Sequence, residues 1–102
     1  MIAGPLTLAV VEQTAVVSDD GHALNAELDD EQAVIRLDAN LSAGRKRLSL
    51  VHEIFHQLCH YTDIGRDIEE KHVESMIVRL SPWWLDVLRR NPALVAFLTG
   101  EP

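Results

Sequence analysis

Apolar residues change their spacing near Asn40. Ahead of it they come in short runs with loose alternation: Leu6 to Val11, Ala15 to Val17, His22 to Leu28 and, clearest, Ala33 to Leu37. Runs of this length, bounded by polar clusters, predict strands. Ser18-Asp19-Asp20-Gly21 reads as a turn in which Gly21 takes positive φ, and Asp29-Asp30-Glu31 as another. The short connections predict a small antiparallel sheet, with its last strand at or near an edge.

Beyond Asn40 the period becomes helical. Ser42 is an N-cap candidate, with Leu41 ahead of it as a staple. Leu48, Val51, Ile54, Phe55 and Leu58 then fall on one face, and Asp63 to Gly65 ends the helix. A second helix is expected from about Asp67, burying Val73, Met76, Ile77 and Leu80. Ser81-Pro82 and Asn91-Pro92 each place a capping residue before proline, so two further helix starts are expected there. The chain reads as one α+β domain over residues 1–102, mainly β over 1–38 and mainly α over 42–99.

The motif helix carries chemistry. His52-Glu53-Ile54-Phe55-His56 fits H-E-x-x-H. On a helix the two histidines differ by about 40° in azimuth and about 6 Å in height, so both imidazoles reach one Zn²⁺. Glu53 stands beside a water at that metal rather than on the metal, where it accepts a proton. A wet helix face with two histidines also satisfies the pattern. The apolar neighbours Val51, Ile54, Phe55 and Leu58, and the strand just upstream, favour the metal reading.

Catalytic zinc takes three protein ligands. His60 lies about 12 Å from His52 along a continuous helix, too far to share one ion. Cys59 reads as a small core residue. The next helix offers Glu69, Glu70 and Glu74, and helical spacing alone does not choose among them.

Composition narrows the function classes. Hydrophobic content of 47% and charged content of 25% are those of a soluble globular protein. No apolar run approaches a membrane span, and the N-terminus lacks the basic start of a signal peptide. With a single cysteine, a cytoplasmic location is expected. A net charge of −7 weighs against a nucleic-acid surface. The one basic cluster, Arg45-Lys46-Arg47, reads as a solvated first turn.

Two stretches, "AVIRLDANLSAGRKRLSLVHEIFHQL" and "ESMIVRLSPWWLDVLRRNPALVAFLTG", resemble small zincin-type metallopeptidases of the ImmA/IrrE group, especially short phage and prophage versions. The resemblance runs from Ala33 to Leu98. It implies a strand before the H-E-x-x-H helix and a glutamate on the next helix that falls on Glu74. It thus implies His52, His56 and Glu74 as zinc ligands and Glu53 as catalytic base. Ile77 and Val78 depart from the family's smaller, more polar residues, which keeps Glu70 as a fallback ligand.

The expected function is therefore zinc-dependent hydrolysis of a peptide bond, the resemblance suggesting a regulatory protein such as a repressor as substrate. The peptide is expected to add as a strand, beside Ala33 to Leu37. His60, Tyr61 and His72 are the candidate oxyanion donors. The alternative is a non-catalytic zincin-scaffold module docking on a host or phage protein, with Trp83-Trp84 as its anchor.

Overall fold

The computed structural model describes residues 2, 3 and 6–100. Its strands are β1 (Ile2–Ala3), β2 (Leu6–Thr7), β3 (Ala9–Gln13), β4 (Val16–Val17), β5 (Ala23–Leu24), β6 (Ala26–Asp29) and β7 (Val34–Asp38). Helices α1 (Ala43–Tyr61), α2 (Glu70–Arg90) and α3 (Pro92–Leu98) follow, with a 3-10 turn at Ile64–Arg66 between the first two. The α+β reading holds.

The sheet that carries the site has the order β3-β7-β6. β6 and β7 pair antiparallel, with Leu28 opposite Ile35 and Ala26 opposite Leu37. β3 and β7 pair parallel, Val10 opposite Ile35 and Glu12 opposite Leu37. This corrects the sequence expectation in two respects: the sheet is mixed, and its last strand is central. Parallel neighbours need a long crossover. Residues 14–33 supply it, housing the β4–β5 hairpin and β6. The hairpin turns as expected: Gly21 has φ +89°, and the His22 amide donates to Ser18 Oγ at 3.0 Å.

Alternation along β7 decides which face is which. Ile35 and Leu37 are buried with Leu8, and Ala26, Leu28, Leu50 and Ile54 pack on that cluster. The helix α1 therefore lies on this face through Leu50 and Ile54. On the other face Arg36 reaches Glu27 and Asp29 of β6, each at 3.3 Å. One apolar face and one charged face fix the register, because a one-residue slip would exchange them.

Ser42 caps α1 as expected, its Oγ accepting from the Arg45 amide at 3.2 Å. Ser42→Ala should lower unfolding free energy by about 1 kcal/mol in a denaturant titration. An unchanged midpoint would show that the cap carries no stability.

Two expectations about α2 need correction. The helix starts at Glu70 and runs unbroken through Pro82. Ser81 is no cap: it is buried, and its hydroxyl donates to the Ile77 carbonyl at 2.6 Å. The packing that buries Ser81 holds the helix across the donor that proline removes, since the back-bond reaches Ile77 and not the Val78 carbonyl that Pro82 leaves open. Of the four expected core residues only Val73 and Ile77 are buried, while Met76 and Leu80 are exposed. α1 meets a narrower strip of α2 than the apolar pattern spans. α3 does begin at Pro92, but Asn91 supplies no side-chain cap and instead donates to the Val87 carbonyl at 2.8 Å.

Candidate metal and peptidase centre

His52 and His56 project from α1, one turn apart, on the flank away from the sheet-packed Leu50 and Ile54. Their Nε2 atoms lie 3.1 Å apart. Glu74 approaches from α2, placing Oε1 3.1 Å from His52 Nε2 and Oε2 2.5 Å from His56 Nε2. Among the described residues this is the group of histidine and carboxylate atoms, all within 4.8 Å of one another, that could hold a metal ion.

The donor set fits a cation. Ligand atoms bonded to a tetrahedral zinc at its usual distances stand about 3.3 Å from one another. The His52–His56 and His52–Glu74 separations, 3.1 Å each, are close to that, and the His56–Glu74 contact is shorter at 2.5 Å. Neutral imidazole nitrogens and a carboxylate present lone pairs to one point, and such acceptors repel unless a proton or cation lies between them. Burial pushes the His52 pKa below its ordinary value, with His56 acting in the same direction and Glu74 against it. The neutral form thereby favoured is the ligating one.

Glu53 does not join the cluster. It lies where two clefts meet. One, of about 440 Å³, is lined by Leu24, Asn25 and Ala26 on the strand side and by Arg45, Ser49, His52, Glu53, His56 and Glu74 on the helices. The other, of about 270 Å³, passes Leu28, Glu53, His56, Cys59, His60 and Glu70. Burial raises the Glu53 pKa above the usual carboxylate range; Glu74 and Glu27 add to the rise and His56 opposes it. A raised pKa makes the carboxylate a stronger proton acceptor than a solvated one.

The fallback ligand and the oxyanion candidates are now placed. Glu70 lines the second cleft and stands outside the ligand cluster. Burial raises the Cys59 thiol pKa, and Glu70 adds to it. His60 faces the same cleft and is held by Asp30 Oδ2 at 2.7 Å. Tyr61 and His72 are exposed and are not among the residues lining either cleft. Sequence reasoning missed Arg45 and Ser49, which line the first cleft. Their signal was present, since they precede Glu53 by two helical turns and one. It also treated the basic cluster as uniformly solvated, whereas Lys46 pairs with Glu12 of β3.

A mixed sheet backed by a helix whose H-E-x-x-H residues converge with a glutamate from the next helix defines a metallopeptidase-like domain. Residues 10–76 match the Peptidase M78 family, described as the IrrE N-terminal-like domain. The chain belongs to this family. The match takes in β7, the whole motif helix and Glu74. No match to the chain was found among curated proteins or among solved structures. No helix among the described residues is long and apolar enough to cross a membrane.

Proposed function

We propose that this chain is a zinc-dependent peptidase in which His52, His56 and Glu74 hold the metal and Glu53 is the general base. The observation that carries the proposal is the convergence of the three ligand atoms within 4.8 Å, with Glu53 on the adjoining cleft wall. Bound zinc supplies Lewis acidity, polarising a carbonyl and making a water more acidic. Glu53 takes the proton of the attacking water and returns it to the leaving amine. Its position one residue after His52 keeps it beside the reacting atoms without making it a ligand.

The substrate strand adds to β6, not to Ala33–Leu37 as the sequence reading expected. β7 already pairs on both sides, so it offers no backbone edge. β6 pairs only with β7 in the described sheet, and its residues Ala26 and Leu28 line the clefts on either side of Glu53. Backbone groups along that edge can align an extended peptide across the site, leaving side-chain pockets to select it. The family resemblance makes a regulatory protein such as a repressor the substrate class to try first. The acidic charge of −7 argues against a nucleic-acid partner, and the single cysteine fits a reducing cytoplasm.

The test uses the purified chain, stripped with a chelator, reloaded with one equivalent of zinc and incubated with a diverse peptide library. Mass spectrometry should find new termini that disappear when zinc is withheld. Zinc uptake without new termini from any peptide would overturn the catalytic assignment and favour the docking module.

A further inference from the structure

One apolar surface of α2 is used neither by the core nor by the site. Met76, Leu80, Trp83 and Val87 recur at intervals of four, three and four residues, so they form one stripe along the helix. The stripe is open: Met76 is 49% exposed, Leu80 58%, Trp83 72% and Val87 39%, with Trp84 beside it at 41%. Phe55 of α1 closes one side, and with Leu80, Trp83, Trp84 and Val87 it lines an apolar depression of about 430 Å³.

We propose that this face pairs with a second copy of the chain, the two α2 helices lying antiparallel about a twofold axis between Ser81 and Pro82. Three features select a second copy as the occupant. The first is spacing: the interval pattern reads the same in both directions. A reversed helix therefore sets Met76 of one copy against Val87 of the other, and Leu80 against Trp83, twice.

The second is charge. Arg79 and Asp86 each stand one position ahead of a stripe residue, on the same flank. In the antiparallel arrangement both lie between the same two layers of stripe residues, so Arg79 of one copy meets Asp86 of the other. Asp86 also takes Arg90 of its own helix, at 3.1 Å. Arg79 has no ion pair among the described residues and is available.

The third is area. The open parts of these five side chains come to roughly 550 Å² per copy, so a symmetric pair covers about 1,100 Å² before any rim residue is counted. A specific interface needs about 1,000 Å². Pro82 points away from the stripe and does not obstruct the approach, since it sits on the opposite side of the helix by its spacing from Leu80 and Trp83. The ligand Glu74 faces α1 rather than this surface, so pairing leaves the metal centre open.

Sedimentation velocity on the zinc-loaded full chain, from about 1 to 100 µM, tests the pairing. The wild type should shift from monomer to dimer across that range. Leu80→Asp should remain monomeric while keeping its helical circular dichroism and its zinc, because Leu80 is already exposed. Arg79→Asp should weaken dimerisation at least tenfold, and the Arg79→Asp/Asp86→Arg double variant should recover it. A wild type that stays monomeric throughout overturns the proposal and leaves the face for a different protein. So does a Leu80→Asp variant that still dimerises. A dimer indifferent to the single charge reversal, or not recovered by the double one, contradicts the antiparallel pairing.

Discussion

Glu74→Ala should weaken zinc binding by at least about 100-fold, while Glu70→Ala should leave it within a few-fold of wild type. Losing even a partner that only orients a ligand costs 10- to 100-fold in affinity, and Glu74 is assigned to the metal itself. Its two oxygens contact both imidazoles, at 3.1 and 2.5 Å. Without them a zinc ion keeps two neutral ligands and loses the one negative charge aimed at it. Glu74 is only half-buried, so its removal leaves the fold in place and the loss reads as affinity. Glu70, at the start of α2, faces Cys59 and His60 in the neighbouring cleft. Competition titration against a chromogenic chelator separates the two variants. Weakened binding in the Glu70 variant alone would reassign the third ligand and shift the register of the family match by one helical turn.

Glu53→Gln should bind one zinc as the wild type does and lose hydrolysis by about 10²- to 10⁴-fold, the range that a positioned general base contributes. Glutamine keeps the size and polarity of the side chain on the cleft wall but cannot accept the proton. Because burial already works against the charged carboxylate, the neutral replacement should also hold or slightly raise the melting temperature. Zinc content, melting temperature and cleavage rate are read on one preparation. Loss of zinc would make Glu53 a ligand, and undiminished cleavage would remove it from the mechanism.

The parts of the site legible in the sequence were those fixed by one helix. His52, Glu53 and His56 depend only on helical geometry, which places residues four apart on one face whatever surrounds them. Glu74 was legible only through resemblance. Choosing it over Glu70 by physics alone requires the start and rotation of α2, and these follow from how Val73 and Ile77 seat against the rest of the fold. The strands were recognisable singly, but their neighbours were not. β7 is central because β3, more than twenty residues upstream, pairs with it in parallel. Nothing local to Val34–Asp38 encodes that partner, and the edge proposed for a substrate strand is therefore β6.

The misread helix break has the same origin. Ser81-Pro82 carries the local signature of a helix start, and an isolated peptide would obey it. In the folded chain Ser81 is buried between Ile77 and the rest of the core, so packing outweighs the roughly 3 kcal/mol that an internal proline costs. The unbroken α2 is also what creates the long exposed stripe from Met76 to Val87. Two separate helices would have no such continuous face.

The central claim is that two residues of α1 and one of α2 hold a single zinc. Crystals of the zinc-loaded chain, measured on both sides of the zinc absorption edge, test it most directly. One anomalous peak should lie between His52 Nε2, His56 Nε2 and the Glu74 carboxylate, with Glu53 beside it but not bonded to it. A peak elsewhere, or none with the two imidazoles turned apart, would contradict the account.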